Sequence, residues 1–372
     1  MHELVAPFEQ YEIDGNTGLF QRREVIDELI VLQSLSDVSK QLMETEGCGL
    51  DLLQLVDKLP ARNMEPVLSR RFDRIVNRIG RYLERADMIE EAVSVYCRAK
   101  ATPARERQAR ILDRLGDPQA AMALCESIIE TPLSEEELEF AQGFGHRLAK
   151  KHQLKSGPEF NLSVQTIEQT IIQVPSAESS VELCARTYYQ NLGYESYYVE
   201  NSLMRSLFGL CFWDIIYAPV SGAFFNPFQR SPIDLYTPDF VDSRRVLIAG
   251  RFKALEKNGP RDLAMAIYRA KIGITNPFVN WMYVDEQLLE AALVKIPVQD
   301  LIRIFERLLI DLKNNSSGFP DLIVFDQNSY RMVEIKGPGD KLQKNQARWF
   351  RYFQEQAIPA AVVNVEYLEV GT

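Results

Sequence analysis

Two short apolar runs joined by a polar turn and closed by Gly-Pro-Gly constrain this chain more than any other stretch. The segment reads GFPDLIVFDQNSYRMVEIKGPGD, from Gly318 to Asp340. Leu322 to Phe325 has the composition of a strand. Asp326-Gln327-Asn328-Ser329 is a turn cluster, and Tyr330 to Lys336 alternates as a second strand. Side chains two apart on a strand face the same way, so Glu334 and Lys336 share one face and Val333 and Ile335 the other. Asp321 stands at the head of the paired strand. A hairpin brings it toward Glu334, although the sequence does not fix the register. Two acids and a lysine placed there read either as solvent-facing charges or as a metal site.

Composition narrows the chemistry. Only three histidines (His2, His146, His152) occur in 372 residues, too few for a histidine-based nuclease, a zinc hydrolase or a Ser-His-Asp triad. The five cysteines are scattered without CxxC spacing, which argues against a zinc site or a disulfide framework. Hydrolytic chemistry would therefore rest on carboxylates and lysine. The N-terminus lacks the basic start and apolar core of a signal peptide, and the longest apolar runs are short of a membrane span. The expectation is an intracellular protein without membrane contact, in the cytoplasm or nucleoid of a bacterium or the nucleus of a eukaryote. The net charge of −10 speaks weakly against a polyanion partner, unless a basic stripe stands on the acidic body.

Along the chain, residues 1–65 read as a helical N-terminal segment. REVIDELIVLQSLSDVSKQLM carries apolar residues at three- and four-residue spacing, and a helix stop follows at Pro60. Residues 66–157 read as helix pairs. The turn acids Asp87 and Asp117 lie 30 positions apart, each ahead of a small-residue-rich helix, a period similar to tetratricopeptide repeats. Ser134, with Glu137 three residues on, caps a further helix. Strand-like pieces begin after Lys155, which puts a domain boundary at about 158, with 158–372 mixed α and β.

Within the first repeat helix, Arg71, Arg74, Arg78, Arg81 and Arg85 recur on one face while Leu68, Phe72, Ile75, Val76, Ile79, Tyr82 and Leu83 turn inward. Five arginines on one face repel one another unless neutralised. A phosphate backbone would do so, and so would the neighbouring acids Asp73, Glu84 and Asp87; both readings stay open. Beyond the hairpin, Lys341, Lys344, Arg348 and Arg351 are spaced to share a face of the next helix, within reach of a phosphate near Lys336. Arg205 is placed to do the same. Arg244 and Arg245 fit an internal salt bridge, Trp213 and Asp214 fit the core and its support, and the aromatics of GAFFNPFQ fit packing better than base stacking.

The hairpin residues suit metal-assisted hydrolysis of a phosphodiester. Hard divalent cations take oxygen ligands, which Asp321, Glu334 and the main-chain carbonyl of Ile335 supply, while Lys336 serves the attacking water or the phosphate charge. The pattern resembles the PD-(D/E)xK nuclease superfamily. GFPDLIVF, VEIKGPGDKLQKNQARWF and AAVVNVEYL together resemble a VRR-NUC domain, in which Gln346 matches a motif glutamine. VELCARTYYQNLGYESYYVENSLMRSLFGLCFWDIIY and SPIDLYTPDFVDSRR are similar to the Fanconi-associated nuclease family, of a bacterial-type short form. Glu200 matches a further metal ligand of that family; bottom-up it is also a plausible helix-start acid. No N-terminal SAP module of the kind family members often carry is identifiable in residues 1–65.

The resemblance implies an α-helical N-terminal region with TPR-like pairs, followed by an α/β restriction-endonuclease-like domain. It implies a structure-selective DNA endonuclease acting near 5′ flaps and branch points, with a role in interstrand crosslink repair. One or two Mg²⁺ or Mn²⁺ ions would be held by Glu200, Asp321 and Glu334, with Lys336 and Gln346 completing the site. The long helical region argues for a monomer; protein partners are not indicated. Two alternatives remain: a four-way junction resolvase-like nuclease, and an inactive repeat-based scaffold.

Overall fold

The computed structural model describes residues 7–13, 23–60, 66–154, 167, 169–175 and 180–368. These fall into two compact units, one from Phe20–Val164 and one joining Met1–Leu19 to Gln165–Thr372. The boundary expected near residue 158 lies outside the described residues. The division expected at residue 65 likewise lies outside the described residues; the first helices share a core with the helix that follows them, and residues 7–13 belong with the C-terminal unit.

The helical unit contains α1 (Arg23–Leu42), α2 (Gly49–Asp57), α3 (Pro66–Arg85), α4 (Ile89–Tyr96), α5 (Ala104–Arg114), α6 (Pro118–Glu130) and α7 (Glu135–His152). Antiparallel neighbours follow from short turns. Asp87 takes the left-handed conformation between α3 and α4 (φ 62°), and Asp117 caps α6 by accepting from the Ala120 amide at 3.0 Å. Ser134 caps α7 by accepting from the Glu137 amide at 3.2 Å. The inward residues of α3 (Leu68, Phe72, Ile75, Val76, Ile79, Leu83) form one core with α1, α2 and α4, while α6 and α7 build a second around Cys125, Ile128, Ala141 and Leu148.

The second unit runs β1 (Gln169–Pro175), α8 (Val181–Asn191), β2 (Glu195–Tyr198), α9 (Leu203–Cys211), α10 (Trp213–Ile216), α11 (Pro238–Asn258), α12 (Arg261–Lys271), α13 (Glu286–Lys295), α14 (Val298–Ile310), α15 (Leu312–Asn315), β3 (Leu322–Phe325), β4 (Tyr330–Lys336), α16 (Lys344–Glu355) and β5 (Ala360–Leu368). The strands form one five-stranded sheet in the order β1-β5-β4-β3-β2. β5 runs parallel to both β1 and β4, and the remaining pairs are antiparallel. β3, between β4 and the edge strand β2, is buried on both faces, as its apolar LIVF requires. Leu322, Val324, Val333 and Ile335 turn to the face covered by α8. Ile323, Phe325, Tyr330 and Met332 turn to the opposite face, into the large core built from helices α9 to α14 and α16. Among the described residues no helix is long and apolar enough to cross a membrane.

Candidate active site

The hairpin register decides the site. β3 and β4 pair Leu322 with Val333, so one step further Asp321 stands opposite Glu334. Strand parity puts Asp321 with Ile323 and Phe325, and Glu334 and Lys336 with Met332, all on the face of the helical core. The acids therefore meet at the rim of an apolar core, which explains their burial: Asp321 is 8%, Glu334 1% and Lys336 8% exposed.

Hydrogen bonds fix each group. The Ile335 amide donates to Asp321 Oδ2 at 2.8 Å, and the Asp321 carbonyl accepts from the Val199 amide at 2.8 Å. Lys336 Nζ lies 2.8 Å from Glu334 Oε1 and donates to Gln346 Oε1 at 3.1 Å. Gln346 Nε2 donates to Glu334 Oε1 at 2.5 Å, and Gln346 Oε1 also accepts from the Gln343 amide at 2.9 Å. Gln346 thus closes the capping box of α16 and ties that helix end to the acid and the lysine.

Burial pushes both carboxyls above the usual carboxylate range. For Asp321, burial is the largest cause; the Ile335 amide opposes it, and the charges of Glu200 and Glu182 add to it. For Glu334, burial again leads, followed by the Asp321 charge, with Lys336 opposing both. Glu334 Oε2 is buried with no hydrogen-bond partner. Two carboxylates forced together, one with an unpartnered oxygen, are a donor set that suits a hard divalent cation.

Glu200 is exposed, and its carboxylate accepts from the Tyr198 hydroxyl at 2.5 Å. Its charge reaches Asp321 and Glu334, but among the described residues no three His, Cys, Asp or Glu side chains converge closely enough to hold an ion. The structure brings Asp321, Glu334, Lys336 and Gln346 together and leaves Glu200 turned to Tyr198.

Three residues near the site escaped the sequence reading. Tyr198 holds Glu200; its position two before Glu200 on β2 was the available signal. Asn201, left-handed at φ 50°, accepts through Oδ1 from the amides of Gly318 (2.8 Å) and Phe319 (3.1 Å), pinning the loop that delivers Asp321. Gly318, at φ 93°, would carry a Cβ only 2.7 Å from the Asn345 carbonyl carbon; the loop abuts the start of α16 there.

Several expected nucleic-acid contacts are placed otherwise. α16 begins at Lys344, so Lys341 lies outside the helix and shares no face with it. Lys344 is exposed, but Arg348 is buried (6%), as are Trp349, Phe350 and Phe353 of the same helix. Arg205 is half-buried and donates to the Pro277 carbonyl at 3.0 Å, and burial lowers its pKa. Arg244 is buried in an ion pair with Asp234 at 2.7 Å, while Arg245 pairs with Asp242 and Asp214 with Arg251. Of the α3 arginines, Arg71 and Arg78 are half-buried against α1, and Arg74, Arg81 and Arg85 are exposed.

A VRR-NUC domain family model matches residues 256–367. The chain is 36% identical over 326 residues to a Fanconi-associated nuclease 1 homolog of Pseudomonas aeruginosa, covering 86% of this chain and 58% of that protein. It is 34% identical over 191 residues to the Schizosaccharomyces pombe homolog, covering 50% of this chain and 27% of that one. A crystal structure of paFAN1 bound to 2nt 5′-flap DNA with a gap matches with a TM-score of 0.85 and 33% identity, over 99% of this chain and 66% of the other. The chain thus spans between a quarter and two thirds of the length of these relatives. The hairpin carrying PD and ExK and the motif glutamine on the following helix lie within the residues matched by the VRR-NUC domain model, and over most of its length the chain is similar to Fanconi-associated nuclease 1 homologs.

Proposed function

We propose that this chain is a metal-dependent, structure-selective DNA endonuclease that cuts near 5′ flaps and branch points, with a role in DNA repair that includes interstrand crosslinks. The observation that carries the reading is the buried cluster of Asp321, Glu334, Lys336 and Gln346 at one end of the hairpin. The P. aeruginosa relative is a Fanconi-associated nuclease 1 homolog, and paFAN1 has been crystallised on 5′-flap DNA. Both support carrying the activity over to this chain.

Asp321, Glu334 and the Ile335 carbonyl would hold one or two Mg²⁺ or Mn²⁺ ions, with Glu200 joining once its carboxylate leaves Tyr198. The bound metal supplies a nucleophilic water at neutral pH and polarises the phosphoryl oxygen. The chain's own residues orient the reaction. Lys336, held by Gln346 and Glu334, presents its ammonium to the attacking water and to a phosphate oxygen. Water adds to phosphorus as the bond to the 3′ oxygen breaks, leaving a 5′-phosphate and a 3′-hydroxyl. Gln346 keeps the Glu334 oxygen and the lysine in register. We take the protein to act as a monomer on one strand. The 158–372 region carries the cutting, and the helix pairs contribute to DNA recognition.

Cleavage mapping on labelled 5′-flap, 3′-flap and four-way substrates tests this. With Mg²⁺ or Mn²⁺, single-strand incision near the 5′ flap is expected. Asp321→Ala should abolish cutting while DNA binding stays within a few-fold. Full activity in that variant sinks the site assignment, and symmetric paired nicks in the four-way junction would favour a resolvase instead.

A further inference from the structure

The groove between α1 and α3 collects four cations and has one acid, Asp37, beside it. Leu32 and Ile75 make its apolar floor, and both are buried. Around them Lys40 of α1 and Arg71, Arg74 and Arg78 of α3 line a cavity of about 180 Å³. The hydrogen bonds that steer these arginines go to neutral groups. Arg71 Nη1 donates to Gln33 Oε1 at 2.7 Å, and Arg74 Nε to the Arg70 carbonyl at 3.4 Å. Arg78 Nη1 donates to the Ser36 carbonyl at 3.2 Å and to the Ser36 and Ser39 hydroxyls at 3.3 Å. Such bonds aim a guanidinium without neutralising it.

The acids that the sequence offers as counterions are engaged elsewhere. Glu84 pairs with Arg107, and Asp87 pairs with Arg114 at 2.7 Å. Asp73 is buried and accepts from the Lys100 amide at 3.1 Å. Among the described residues Arg71, Arg74 and Arg78 make no ion pair, and Asp37 is the acid beside the groove. It accepts from Gln33 at 2.8 Å and Lys40 at 3.0 Å, bonds that hold its carboxyl below the usual range, aided by the charges of Lys40 and Arg78. One carboxylate against four cations leaves the groove strongly positive. Guanidinium forks match the paired non-bridging oxygens of a phosphate, and a lysine adds a point charge.

We propose that this α1–α3 groove binds a backbone phosphate of a nucleic-acid strand, through Arg71, Arg74, Arg78 and Lys40. The stripe on α3 is then two surfaces. Its N-terminal arginines build a site with α1, and Arg81 and Arg85 lie outside that groove and stay exposed to solvent. The site deepens the DNA-binding side of the proposed function and rests on that reading.

Equilibrium binding of the full chain to duplex DNA, followed by fluorescence anisotropy in EDTA over a range of salt, separates the two claims because no cleavage is read. Lys40→Gln with Arg74→Gln removes two groove cations whose hydrogen bonds stay within their own helices. This double variant is expected to bind five- to tenfold more weakly and to lose about one unit from the slope of log K against log salt, the share of about one phosphate contact. Arg81→Gln with Arg85→Gln removes the same charge outside the groove and should change the slope by less than half as much. Lys40→Arg with Arg74→Lys keeps the charge and should restore the slope, which separates a lost contact from a lost fold. An unchanged slope in the groove variant overturns the proposal, as does an equal loss in both glutamine pairs. A slope lost in the groove variant, together with a wild-type chain that cuts no DNA in a separate assay with Mg²⁺, would refute the nuclease reading and leave the groove standing.

Discussion

Glu334 uses its two oxygens differently: Oε1 accepts from Gln346 and faces Lys336, whereas Oε2 is buried without a partner. Burial and the facing Asp321 raise the Glu334 pKa, and burial raises that of Asp321. The sign of the pH effect follows. A carboxyl whose folded pKa lies above its unfolded value of about 4 adds stability that is fully present below that value, and this stability is lost as pH rises through the folded pKa. In the metal-free protein these two acids should therefore lower thermal stability as pH rises above about 4, by on the order of 1–3 kcal/mol. Melting curves in chelator from acidic to neutral pH check this. Asp321→Asn should flatten the dependence and raise the melting temperature at neutral pH. A variant that tracks the wild type at every pH would remove strain between the acids as the cause.

At the level of elements, the site is a junction between the β3–β4 hairpin, the end of β2 and the first turn of α16. The hairpin was readable because its period of two survives burial: Val333 and Ile335 do face α8 while Glu334 and Lys336 face the helical core. The start of α16 was not readable to the residue. Its first turn is set by the Gln343–Gln346 capping box rather than by the preceding Asp340 and Lys341, and that displacement removed Lys341 from the helix face. The meeting of hairpin and helix depends on Gly318. Alanine there would sit at a left-handed φ and press a methyl against the Asn345 carbonyl carbon and the Gln346 amide. Gly318→Ala should cost about 2–4 kcal/mol and reduce cleavage, by displacing Gln346, more than it reduces DNA binding. Denaturant melts together with single-turnover cleavage measure both; wild-type behaviour in both would show that the two backbones tolerate more separation.

On the scale of the whole molecule, a segment from the far N-terminus completes the C-terminal unit. Glu9 is 8% exposed and accepts from Trp213 Nε1 at 2.7 Å and Lys271 Nζ at 2.8 Å. Tyr11 stacks on Phe224 with centroids 3.9 Å apart, and its hydroxyl donates to the Asn226 carbonyl at 2.7 Å. The Thr275 amide donates to the Pro7 carbonyl at 2.9 Å. Glu9→Ala would leave a buried indole N–H and an ammonium without their acceptor, so a loss of about 2–4 kcal/mol is expected. The loss should appear as a lower melting temperature of the C-terminal unit, read from tryptophan fluorescence because Trp213 is a direct partner. An unshifted transition would mean that water replaces the carboxylate at no cost.

The sequence by itself determined the local patterns: the hairpin and its faces, the amphipathic α3, the turn at Asp117 and the cap at Ser134. Each depends on residues close in the chain or on a fixed period, so no distant contact is needed to read it. Only the tertiary structure decided which charges face solvent and which face one another. Arg348 has the spacing of a surface cation and is buried; the α3 arginines have neighbouring acids in sequence, yet Glu84 and Asp87 turn to Arg107 and Arg114. Glu200 stands by Tyr198, and Glu9 lies against residues more than 200 positions away. A helix or strand period gives the direction of a side chain about its own axis. What waits in that direction depends on how the elements pack, and charge pairing, burial and pKa follow from that packing.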